Sequence, residues 1–195
     1  DTLTKNDTLG AEFRTANGRI VYEGHGIQPD VKIEPEMLST ITAHLYAQNM
    51  IFKYANKFYR EHKTIASPDK FEITDDIYND FVKFVESQDF KYTSESEKDF
   101  EELVKTAKTE GYYDNIKEQL DLLEEELKSH KDNDLVNNKK EISDILKMEI
   151  VSRYYFQKGR IISALNDDPE LKRAVEILLN SNGKNEYETI LKGTN

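Results

Sequence analysis

His25 stands between Gly24 and Gly26, an open backbone setting in which an imidazole could serve as a general base or a metal ligand. A metal site needs several ligands at matched spacing. The sequence has no HExxH pair and no cysteine, so His25 reads as a surface or packing residue. His44, His62 and His130 fall on predicted helices without recognisable partners and are read the same way. Glu124, Glu125 and Glu126 are consecutive, and consecutive residues point around a helix, so they make a solvated face rather than converging carboxylates for acid–base work. No serine sits in a G-x-S-x-G elbow. Two aromatic groups remain, Tyr154-Tyr155-Phe156 and Phe52, Phe58 with Tyr59. They could form a binding surface, but aromatics at helical spacing are usually core and are read so here. The residues by themselves therefore supply no catalytic, cofactor-binding or metal-binding group.

Composition bounds the rest. Leu, Ile, Val and Phe make up 49 of the 195 residues, above the level that marks disorder, so the chain should bury a core. With 27 basic against 38 acidic residues the net charge is -11, which opposes a phosphate backbone and argues against nucleic-acid binding. No apolar run is long enough for a membrane span, and no signal peptide opens the chain. The absence of cysteine excludes disulfides and zinc–thiolate sites without fixing a compartment. Because the chain opens on Asp1 rather than methionine, we read it as a piece of something longer.

The periodicities give a mainly α fold preceded by a short β-hairpin arm. In "EFRTANGRIVYEGHGIQPDV", Asn17-Gly18 is a turn signal, because both residues tolerate the positive φ of tight hairpin turns. Glu12 to Thr15 and Arg19 to Tyr22 should pair across it. After Pro35 the period shifts toward 3.6. Leu38, Ile41, Leu45, Phe52, Ala55 and Tyr59 predict one helix from about Met37 to His62. A second helix starts near Thr74 or Asp75 with Ile77, Phe81, Phe84 and Val85 on one face. A third follows the capping-box spacing of Ser94 and Glu97 and ends at Gly111. A fourth spans Asp114 to His130, and Ile142 to Tyr154 forms its partner in a helical hairpin. The last starts at Asp168-Pro169, with Leu171, Val175, Leu178 and Leu179 as its buried face. The predicted division is an arm over 1–35 and a helical domain over 36–195.

"GRIVYEGHGIQPDV" resembles the segment GR-x-V-x-x-G-G-G-I-x-P-D-(V/I) of carboxyl-terminal processing peptidases, the tail-specific proteases of the S41 serine peptidase family. Gly18, Arg19, Val21, Gly24, Gly26, Ile27, Pro29 and Asp30 match it, and His25 departs from it where the pattern has glycine. "FEITDDIYNDFVKFV" and "EIVSRYYFQKGRIISAL" look like the helical C-terminal region of the larger bacterial members. The resemblance implies that the eight matching residues are structural, that no cofactor is needed, and that the nucleophilic serine and its lysine base precede this segment. No catalytic residue is therefore assigned here. It implies an accessory role beside a protease acting on protein or peptide substrates, in the periplasm or cell envelope, with a homo-oligomer as a further arrangement. A stand-alone helical interaction module is the alternative.

Overall fold

The computed structural model describes residues 11–16, 18–23, 29–35, 37–179 and 181–192, without the side chains of 181–185. Among these residues the chain is mainly helical, as expected, with nine helices after a two-stranded antiparallel hairpin. It divides into two compact units, Met37–Ala164 and a second made of Asp1–Glu36 with Leu165–Asn195.

In the hairpin, β1 (Glu12–Arg14) faces β2 (Ile20–Tyr22) with Phe13 opposite Val21. The turn closes where the sequence places it. The Gly18 amide donates to the Thr15 carbonyl at 2.9 Å, and Gly18 takes φ +84°, a conformation that costs glycine little. All six strand residues are exposed. Asn17 lies outside the described residues.

In the larger unit, α1 (Thr40–Ala47) and α2 (Met50–Glu61) replace the single helix expected over 37–62. Asn49 adopts φ 60°, ψ 25°, and this left-handed residue resets the rotational phase of the chain. A continuous helix would align Phe52 and Tyr59 with Leu45. After the break, Ile51, Tyr54 and Phe58 turn inward, while Phe52 and Tyr59 face solvent. Residues 39–65 run alongside α7 (Lys139–Ala164) in the same direction. The contacts progress from Ser39 with Glu141, through Asn56 with Arg153, to His62 with Tyr154.

The helix α3 (Asp75–Ser87) is capped by the Thr74 hydroxyl and buries Tyr78, Phe81 and Val85. Leu45, Ile51, Tyr54, Phe81, Ile142, Leu146, Ile150 and Val151 form the driest part of the core. Removing each such apolar side chain from water stabilises the fold by roughly 1.5–3 kcal/mol.

The capping box of Ser94 and Glu97 starts α4 (Glu95–Glu110), and Gly111 ends it. The next helix, α5 (Tyr113–Asp132), packs chiefly on α4, and α7 chiefly on α2, so the expected α5–α7 hairpin is not the main pairing. The short α6 (Asp134–Asn137) follows α5.

In the smaller unit α8 (Pro169–Leu179) packs against α9 (Ser181–Lys192), a helix the periodicity did not reveal. Ile177 is buried there, whereas Leu171, Val175, Leu178 and Leu179 are exposed, so the buried face of α8 is not the predicted one. The apolar pattern on α8 is wide enough for two faces, and its packing on α9 selects the one carrying Ile177.

Candidate functional site

Of the eight residues that match the protease segment, Gly18, Arg19, Val21, Pro29 and Asp30 are described, whereas Gly24, Gly26 and Ile27, with His25, lie outside the described residues. Arg19 and Asp30, eleven positions apart, form an ion pair. The Arg19 main chain is fixed from the other side, because its amide donates to Thr15 Oγ1 at 3.1 Å and its carbonyl accepts the Thr15 amide at 2.8 Å. The G-R and P-D ends of the segment thus clamp one another. Residues 29–34 then line one side of an open groove of about 710 Å³, with Ala174, Ile177 and Leu178 of α8 and Tyr187 and Ile190 of α9 opposite.

The larger unit exposes several aromatics that the spacing assigned to the core. Phe58 is buried, but Phe52 is 51% exposed, Tyr59 48% and Phe156 78%. The Arg153 guanidinium lies 4.8 Å from the Phe52 ring centre and donates to Asn56 Oδ1 at 2.8 Å. Tyr59 meets Tyr154 edge to face at 4.8 Å, and the Tyr154 hydroxyl donates to the His62 carbonyl at 2.6 Å. At Phe156 the backbone leaves the helix (φ 55°, ψ -157°), kinking α7. The signal that could have revealed the exposure of Phe52 and Tyr59 is Gln48-Asn49, a pair suited to ending a helix and starting another out of phase.

Polar groups inside this unit are engaged structurally. The Tyr54 hydroxyl lies 3.0 Å from both the Ile77 carbonyl and the Asp80 carboxylate. Burial first, and the Asp80 contact second, push this phenol far above its ordinary range, so it stays a protonated donor rather than a base. The Lys57 ammonium, 2.8 Å away, holds the Asp80 carboxyl below the usual carboxylate range. Lys147 is buried and ion-paired to Glu72 at 2.8 Å.

Serine hydroxyls serve the helices. Ser39 and Ser94 cap α1 and α4, while Ser87, Ser152 and Ser163 donate to carbonyls three residues back. The His62 ring stacks on Phe58 at 4.0 Å, and His44 lies against Tyr92 at 5.3 Å. Glu124 pairs with Lys128 one helical turn on. Among the described residues no group of three His, Cys, Asp or Glu could hold a metal, and no helix is long and apolar enough to cross a membrane. This arrangement offers packing, capping and contact surfaces.

No curated protein and no solved structure matches the chain. The family described as "Probable PDZ-protease, C-terminal helical domain" matches residues 41–178, from the start of α1 to the end of α8. With most of its length matched, the chain belongs to the family of C-terminal helical domains of probable PDZ-proteases.

Proposed function

We propose that the chain is the accessory, non-catalytic helical region of a serine endopeptidase of the S41, carboxyl-terminal processing type, exported to the periplasm or cell envelope. The observation that carries this reading is the Arg19–Asp30 clamp immediately ahead of the family-matched helices. It gives a physical reason for the paired G-R and P-D positions of the protease segment, which the sequence shares. In such an enzyme a lysine amine deprotonates the serine, and the resulting acyl-enzyme is released by water. Neither group is assigned to this chain. Its substrates are protein or peptide chains cleaved by the parent enzyme, toward which this region contributes contact.

The purified chain is expected to leave unfolded protein and tagged peptide substrates intact. The parent gene is expected to encode an upstream serine and lysine and an export signal. Turnover by this chain alone, blocked by serine-directed inhibitors, would sink the reading, as would a parent gene without those two residues. The exposed edges of a two-stranded hairpin support a second reading, a helical module whose hairpin adds to another sheet. A parent with no protease core would favour it.

A further inference from the structure

We propose that α4 and α5 dock a basic amphipathic helix of a partner polypeptide, which packs along one side of their seam as a third helix. This goes beyond assignment to a protease-associated domain and is independent of the parent's catalytic type.

Residues 95–132 hold 13 acidic residues against 6 lysines, a net -7 of the chain's -11. None of them belongs to the main apolar cluster, and the two helices pack chiefly on one another. Only Ala107 and Leu120 are buried between them. A helix pair in water depends on its packed apolar face, so this pair has apolar surface left for a partner.

The pair is antiparallel and bridged at both ends. At one end Lys131 meets Glu97 at 2.8 Å, and at the other the Lys108 ammonium lies 4.7 Å from the Tyr113 ring centre. These four residues fix how the helices face each other. At about 100° per residue, Leu103 stands about 120–140° around α4 from Glu97 and Lys108, and Leu123 about 80° around α5 from Tyr113 and Lys131. Both rotations have the same sense. In an antiparallel pair equal senses lead to the same side, so Leu103 and Leu123 flank one side of the seam. They are 47% and 45% exposed.

That side carries carboxylates and neither lysine nor arginine. Asp99, Leu103 and Glu110 follow one row of α4 at i, i+4 and i+11, and Glu126 is the i+3 neighbour of Leu123 on α5. All three carboxylates are exposed and make no ion pair or hydrogen bond among the described residues. The lysines of α4 lie about 140° or more around from Leu103, and those of α5 about 80–140° from Leu123 toward the opposite side.

Spacing identifies the occupant. Among the described residues no group of three His, Cys, Asp or Glu could hold a metal, so these charges suit separated cations rather than one ion. From Asp99 to Glu110 the row runs about 16 Å, three turns of helix, which matches lysines or arginines spaced along a partner helix. Leu103 and Leu123 then meet apolar side chains at helical spacing. A second copy of this face would set carboxylate against carboxylate, and a nucleic acid or an anionic bilayer would be repelled.

Fluorescence anisotropy tests the proposal with the whole chain and a labelled peptide of about 18 residues, lysines and alanines with leucines at i, i+3, i+4 and i+7. Saturable binding that weakens with salt is expected, and a peptide of the same composition with its leucines scrambled should bind about tenfold more weakly. Glu110→Lys with Glu126→Lys should weaken binding about tenfold. Glu101→Lys with Asp121→Lys, about 160° around each helix from the leucines, should change it by less than about twofold. Leu103→Ser with Leu123→Ser should weaken it while the melting temperature holds, since both side chains are already exposed. No saturable binding, equal losses in the two charge-reversed pairs, full affinity in the serine variant, equal binding of the scrambled peptide, or self-association of the chain that the serine variant abolishes would each overturn it.

Discussion

Two buried tyrosines show how single residues couple this fold to solvent. Burial lifts the Tyr78 hydroxyl to about 12, and Tyr54 is pushed higher still. Below an ordinary phenol value of 10.0, folded and unfolded chains both hold these protons. Above it the unfolded chain releases protons that the folded chain keeps, so stability falls as pH rises, by roughly 1.4 kcal/mol per pH unit per group. For Tyr78 the fall ends near 12, where the folded hydroxyl also ionises. Urea midpoints measured across alkaline pH should therefore drop from about pH 10 upward. Tyr78→Phe removes the hydroxyl's bond to the Leu135 carbonyl, lowering stability at neutral pH by about 1 kcal/mol while flattening the alkaline decline. An unchanged alkaline slope in that variant would show that other groups govern it.

At the scale of elements, local chemistry sets where helices start and stop, and one residue sets which way they face. The Ser94 hydroxyl accepts the Glu97 amide at 3.1 Å, the Glu97 carboxylate accepts the Ser94 amide at 2.7 Å, and Lys131 of α5 closes on the same carboxylate at 2.8 Å. Ser94→Ala should cost about 1 kcal/mol, read as a lower melting temperature with faster amide exchange at the start of α4. Exchange unchanged there would mean that the Glu97–Lys131 contact holds the helix end without the cap. Those signals lie within four residues of one another, so they were legible in sequence, as were the Thr74 cap and the Gly111 stop. The facing of α2 was not. Its apolar residues fit either a continuation of α1 or a fresh start, and only the left-handed Asn49 chooses between them. The kink at Phe156 is likewise silent, because Phe156 itself suits a helix and the nearest glycine, Gly159, lies three residues further on.

For the whole molecule, the hydrophobic core marks one independent body. Every residue of the main apolar cluster, from Ile41 through Val151, falls within 37–164. A fragment of those residues should melt cooperatively with its helical content kept. The division drawn from sequence, 36–195, would instead keep α8 and α9 with that body. Comparing the two fragments by circular dichroism decides between them: a 37–164 fragment that fails to melt cooperatively, beside a 36–195 fragment that does, would show that α8 and α9 complete the core.

The sequence by itself determined that the chain is mainly helical behind a short hairpin. It also determined where the turn at Gly18 and several helix ends fall, because these depend on residues a few positions apart. It carried the Arg19 and Asp30 positions through resemblance, but not their pairing across eleven residues. Tertiary structure alone decided that α2 chooses α7 as its partner, that Ile177 rather than Leu171 or Leu178 is buried on α8, and that Phe52, Tyr59 and Phe156 stand in solvent. Periodicity reports that a helix has an apolar stripe. Which part of that stripe is removed from water depends on the elements that meet it, and those lie far away in the chain.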